Sequence, residues 1–200
     1  MKKTYFLLGA FLFIFASCST GTNVKRVDTA QQLDLSGYWN DTDVRIVCEA
    51  LINDCLRSPR VDQAIRASRT TPTVIVGRFR NESSEHIDTS IISSIMEAAI
   101  FNSGRLDFVA GGDVREDIRA ERMDQQTNAS PETMAKLRNE TGADYMLTGT
   151  VRTIVDRDGN QTVRTYFVTS EMTNIETNQR MWIGQNSEIK KLITQPRNRL

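Results

Sequence analysis

One short stretch gathers most of the side chains that could do chemistry: Ser83, Ser84, Glu85 and His86, with Asp88 two residues further on. A hydroxyl, an imidazole and a carboxylate are the parts of a nucleophilic triad, in which the base must sit between the other two groups. Ser84, His86 and Asp88 are too close in sequence to converge that way, and no Gly-x-Ser-x-Gly elbow accompanies them. The favoured reading is a helix entry, with Ser84 as the cap and Glu85 and Asp88 complementing the positive end of the helix dipole. The alternative is a partner or ligand loop, a hard-metal site or a catalytic site, since α/β proteins often bind ligands between a strand and the next helix. His86 is the only histidine, so zinc sites built on two imidazoles are excluded.

Other chemical patterns are missing. Gly111-Gly112 lacks both a Gly-x-Gly-x-x-Gly fingerprint and a Walker lysine, and reads as a turn. Acidic residues are spread evenly, so no pair can be singled out for glycoside chemistry. The residues therefore point to no enzyme, no cofactor and no metal. With 25 basic and 25 acidic residues the chain is neutral, and nucleic-acid binders show a basic excess instead.

The three cysteines separate into two kinds. Lys2 and Lys3, the apolar run Phe6 to Phe15, and Ala16-Ser17 before Cys18 form a secretory signal whose apolar run is too short to span a bilayer. A cysteine at the cleavage point makes this resemble a bacterial lipobox, with residues 1–17 removed and Cys18 acylated, palmitate included. Phe15 stands where that pattern usually has Leu. An ordinary signal peptide is the alternative. Removal leaves a mature charge of about −2. Cys48 and Cys55 share a helical stripe with Val44 and Leu51, about 10 Å apart along one helix, beyond disulfide reach. They read as buried thiols, an intermolecular bridge being the other possibility.

These residues need elements to position them. Residues 18–35 are polar and read as a lipid-anchored tether, reaching at most about 60 Å. The folded body, 36–200, opens at Ser36-Gly37-Tyr38-Trp39. Asp41 or Thr42 is expected to cap a helix to Arg57, with Trp39 packed on its first turn, and Ser58-Pro59 to open a second helix to Ser68. Thr73–Arg80 is a β-branched run that fits a strand covered on both faces. A helix over 87–102 should bury Ile91, Ile92, Ile95, Met96 and Ala99, and 105–110 should be the second, parallel strand of a βαβ unit. A charged helix over 113–126 is expected to pair its own charges, a partner-binding face being the alternative, and Ser130-Pro131 should start another helix ending at Gly142. Residues 144–156, 161–175 and 180–193 read as an antiparallel meander with an Asp-Gly turn. The expected fold is a single α/β domain with a mixed sheet and flanking helices.

Several strings together resemble the LpoB family of penicillin-binding protein activators. They are Leu35-Ser36-Gly37-Tyr38-Trp39-Asn40-Asp41-Thr42-Asp43, Val74-Ile75-Val76-Gly77, Asn81-Glu82-Ser83-Ser84-Glu85-His86-Ile87-Asp88, Gly142-Ala143-Asp144-Tyr145-Met146-Leu147-Thr148-Gly149, Ile175-Glu176-Thr177-Asn178 and Trp182-Ile183-Gly184-Gln185. They occur in family order across about residues 35–193. The resemblance implies a fold like the N-terminal domain of TolB. It also implies an outer-membrane lipoprotein, anchored through Cys18 and facing the periplasm. Such a protein docks on a bifunctional class A penicillin-binding protein and activates it allosterically in peptidoglycan synthesis. Ser19 is not the aspartate that retains lipoproteins at the inner membrane, which fits that address. No docking residue is carried over. An outer-membrane secretion or assembly component related to the curli lipoprotein CsgG is the second reading, disfavoured by Arg152, Asp156, Arg164 and Glu171 on the candidate strands. A periplasmic hydrolase using Ser84 or His86 is the third.

Overall fold

The computed structural model describes residues 25–28, 31–135 and 140–196; Cys18 and the signal segment lie outside them. The chain divides into two units, Met1–Gln32 and Leu33–Leu200, and among the described residues every helix and strand lies in the second. In chain order these are α1 (Asp41–Arg57), α2 (Pro59–Ala67), β1 (Thr73–Asn81), α3 (Thr89–Asn102), β2 (Asp107–Phe108), α4 (Gly112–Asn128), β3 (Tyr145–Asp158), β4 (Gln161–Asn174), β5 (Arg180–Asn186) and β6 (Lys190–Thr194). This is a single mixed α/β domain, as its sequence pattern predicts.

The sheet runs β2-β1-β3-β4-β5, with β6 also on β4. β1 is parallel to β2 and to β3, so β1-α3-β2 is the expected parallel unit. β3 and β4 form a hairpin paired from Tyr145↔Asn174 to Asp158↔Gln161, turning through Gly159-Asn160. Gly159 takes φ +55, a left-handed conformation open to glycine, as the Asp-Gly signal requires. The third run is not continuous. β5 pairs with residues 168–173 of β4 and β6 with 161–165. Between them Ile189 turns into the core, 7 % exposed, while its carbonyl accepts from the Tyr166 N–H at 2.9 Å.

Strand alternation sets the two faces of the sheet. On β4 the even positions Arg164, Tyr166, Val168, Ser170 and Met172 are buried, and the odd ones are half-buried. Leu147 and Val151 of β3, Val74 and Phe79 of β1 and Trp182 of β5 share the buried side. Helices α1 and α3 cover it. Val44, Val47, Cys48, Leu51 and Cys55 form the buried stripe of α1, and both cysteines are free thiols.

Local chemistry moved several boundaries. Asn40, not Asp41 or Thr42, caps α1: its side chain accepts from the Asp43 N–H while the Asp43 carboxylate accepts from the Asn40 N–H, closing a capping box. Trp39 lies with its ring 5.1 Å from Tyr166 of β4. The buried line of α3 is Ile92, Met96 and Ile100; Ile91 and Ile95 sit about 100° away around the helix, 48 % and 37 % exposed. β2 shrinks to two residues because Gly104 turns the chain before it and Gly111 enters α4 after it. Within 130–142, residues 131–133 form a turn, and 136–139 lie outside the described residues. The Gln125 and Gln126 side chains bond the backbone N–H and carbonyl of Ala135, holding it beside α4. Arg115, Arg119 and Arg122 of α4 converge on Glu140, so that helix is paired from outside and not by its own acids.

Two predictions come from this packing. At Gly149 a Cβ would overlap the Phe79 ring and stand 2.7 Å from the Thr169 carbonyl oxygen. Gly149→Ala should cost about 2 kcal/mol or more in urea unfolding, and a loss under about 0.5 would show that β1 yields there. Desolvation pushes the Cys48 thiol up to about 11 and Cys55 to about 12, against an ordinary 9.0. Above pH 9 the unfolded chain has released protons that the native state keeps, so stability is full below pH 9 and falls as pH rises. Urea unfolding at pH 8 and pH 10 should show that fall, and the double variant Cys48→Ala/Cys55→Ala should flatten it. An equal fall in the variant assigns the effect to other groups.

Candidate functional site

The loop between β1 and α3 is ordered by its own polar groups. The Asn81 side chain donates to the Glu85 carbonyl at 2.7 Å and accepts from the Ser83 N–H and hydroxyl at 3.0 and 2.6 Å. Asp88 is the cap of α3, accepting from the Ser90 N–H at 3.0 Å and the Ser90 hydroxyl at 2.6 Å. Those bonds to Ser90 hold its carboxyl below the usual range. The cap is thus not Ser84, whose side chain is exposed like that of His86. Aspartate at this position reaches the first free N–H groups of the helix, which Ser84, four residues earlier, does not.

Glu85 does not face the helix dipole; its side chain is 6 % exposed and points into the body. Its carboxylate lies 2.9 Å from Arg164 Nε and accepts from the Tyr166 hydroxyl, 2.9 Å from each oxygen. It also accepts from the Trp39 N–H at 3.3 Å. Arg164 is 8 % exposed at its side chain; it donates through Nη1 to the Gly37 carbonyl at 2.9 Å and lies 4.3 Å from the centre of the Tyr38 ring. A buried charge needs this density of partners, because its lost hydration must be replaced. Burial, then the bond to Glu85 and its negative charge, raise the Tyr166 hydroxyl above its usual range. It is a donor held neutral.

A second buried cation completes the attachment of residues 33–40. Lys191 of β6 contacts the Asp43 carboxylate at 2.6 Å, the Asp34 carboxylate at 2.8 Å and the Tyr38 carbonyl at 2.8 Å. Desolvation raises the Asp43 carboxyl, and its hydrogen bond with Lys191 opposes the rise. Gly37 makes the close approach possible: it takes φ +69, and any Cβ there would run into the Ile193 side chain.

This arrangement binds the molecule to itself and presents no reacting geometry. Among the described residues no hydrogen bond links His86 to Ser83 or Ser84, and no three His, Cys, Asp or Glu side chains gather where a metal could sit. Sequence reasoning found Glu85 and missed its partners. The available signal was the phase of β4, where Arg164 falls on the same face as Tyr166, Val168 and Met172. Glu85→Ala should cost about 3 kcal/mol or more, since it strands the buried Arg164 charge. Ser84→Ala and His86→Ala should each stay within about 0.5 kcal/mol. Thermal or urea unfolding of the three variants checks this, and near-equal losses would contradict the clamp.

Comparison with known proteins places the chain. A family profile described as the peptidoglycan-synthase activator LpoB matches residues 43–187. Among solved structures, the LpoB C-terminal domain from Salmonella enterica is 16 % identical, with a TM-score of 0.36 over 64 % of this chain and 92 % of that one. The LpoB C-terminal domain from Escherichia coli is also 16 % identical, with a TM-score of 0.36 over 68 % and 94 %. Lipoprotein GNA1162 from Neisseria meningitidis is 15 % identical, with a TM-score of 0.37 over 60 % and 83 %. No curated protein sequence matches. The family profile spans well over half of the chain, from the first turn of α1 to the end of β5: this protein belongs to the LpoB family.

Proposed function

We propose that this protein is an outer-membrane lipoprotein, acylated at Cys18, that binds a class A penicillin-binding protein in the periplasm and raises its activity in peptidoglycan synthesis. The observation that carries the reading is family membership across residues 43–187, since the family is one of peptidoglycan-synthase activators and acts by regulation rather than catalysis. Two features support it. Among the described residues no helix is long and apolar enough to cross a membrane, which suits a lipid anchor. The most polar cluster in the body, around Glu85 and Arg164, is spent on internal ion pairing.

The mechanism is differential binding. A regulator without chemistry raises a rate only by binding one state of the synthase more tightly than another, and the shift is limited to that difference in affinity. A domain tied together by buried charges is suited to this, because a rigid surface loses little freedom on docking. The stretch between Cys18 and Leu33, where the folded body begins, sets how far from the membrane the domain works.

Membrane fractionation and a binding assay test the proposal. Cys18→Ala should leave the protein unprocessed or free of the outer membrane, and at least one class A synthase of the same organism should bind the mature protein in surface plasmon resonance. Normal processing and outer-membrane retention of Cys18→Ala would remove the anchor. Failure of every class A synthase to bind would remove the partner.

A further inference from the structure

The side of the sheet opposite the core carries the alternate residues of the same strands. Met146, Ile154 and Ile183 stand there, 38 %, 61 % and 52 % exposed. Between them runs a groove of about 470 Å³ lined by four arginines, Arg78 and Arg80 of β1, Arg152 of β3 and Arg180 of β5. Threonines such as Thr150 supply hydroxyls along its floor, and Thr150 is paired with Arg80 on one side and Thr169 on the other.

The charges in this groove do not balance. Arg152 lies 2.7 Å from the Glu82 carboxylate and Arg80 lies 3.8 Å from it, so two cations share one anion. Arg180 lies 3.1 Å from Glu171. Arg78 has no ion pair or hydrogen bond among the described residues. Along the groove the ion-paired carboxylates are those of Glu82 and Glu171, against four guanidinium groups, while Arg78 also borders a neighbouring cavity lined by Asp88, Glu97 and Asp113. The side chains of Arg80, Arg152 and Arg180 are 69 %, 64 % and 63 % exposed, so their present pairs are solvated and readily exchanged.

We infer that this groove is the docking surface, and that it takes a carboxylate-rich segment of the partner synthase with Arg78 and Arg152 as anchors. The inference rests on the regulator reading above. Guanidinium forks bind carboxylates in two-point fashion, and an excess of positive charge selects an acidic partner and speeds its approach. Ile154, two positions beyond Arg152 on β3, and Ile183, paired with Glu171, lie exposed on the same sheet face, and apolar surface beside the arginines favours a protein segment over an anionic saccharide or a phosphate.

The test uses the mature lipoprotein, its Arg78→Glu/Arg152→Glu variant, and Arg66→Glu as a control on α2, where that side chain is 81 % exposed. Affinity for each class A synthase of the organism is measured by surface plasmon resonance at two salt concentrations. The double reversal should weaken binding at least tenfold with an unchanged melting temperature. Arg66→Glu should stay within twofold, and wild-type binding should weaken with salt. If the double reversal lowers the melting temperature, Arg78→Gln/Arg152→Gln takes its place and should still weaken binding at least threefold. Wild-type affinity in the reversal variant overturns this surface and leaves the regulator reading intact. The same holds if the variant loses only self-association or binding to isolated peptidoglycan. Absence of any synthase binding by the wild type removes both.

Discussion

The fold depends on keeping one carboxylate and one guanidinium out of water. Glu85 and Arg164 are each nearly enclosed, and neither charge is stable there without the other. Their attraction alone does not offset the lost hydration, so the surroundings supply further polar contacts: the Tyr166 hydroxyl, the Trp39 N–H and the Gly37 carbonyl. Each comes from a different part of the chain. The pair therefore fixes the entry to α1, the β1–α3 loop and the centre of β4 as one unit. Arg164 Nε lies close to Glu85 without the alignment of a good hydrogen bond, and Trp39 Nε1 is buried without a partner among the described residues. Those shortfalls make the remaining contacts harder to lose.

Much of the architecture was legible because it follows local rules. The β-rich runs 144–156 and 161–175 marked β3 and β4, the Asp-Gly turn marked the hairpin between them, and the stripe 44, 48, 51, 55 marked the buried face of α1 with its thiols. What was not legible depends on contacts distant in sequence. Ile91 and Ile95 are as apolar as Ile92, and only the position of the sheet decides which of them is buried. The break between β5 and β6 exists because Ile189 fills a place in the core. The turn over residues 131–133 is set by contacts with α4, whose Gln125 and Gln126 side chains hold Ala135.

The loop at Ser83–His86 shows the same limit at the level of the site. Its residue types suggest reactivity, yet the member that matters is Glu85, and it matters through Arg164 and Tyr166, which follow it by about eighty positions. No spacing rule joins them. The arginine groove was equally hidden, since Arg78, Arg80, Arg152 and Arg180 come together only when β1, β3, β4 and β5 are laid side by side. The two clusters differ: one set of charges is buried and paired within the protein, the other is exposed and holds more cations than ion-paired anions.

A body held rigid from within, with its unbalanced charge on one open sheet face, is suited to acting on another protein rather than on a small substrate. The most direct measurement is the rate at which a purified class A synthase polymerises lipid II, with and without this protein. At least one synthase of the organism should run faster, with an effect that saturates as the protein is added. Unchanged rates for all of them would contradict activation.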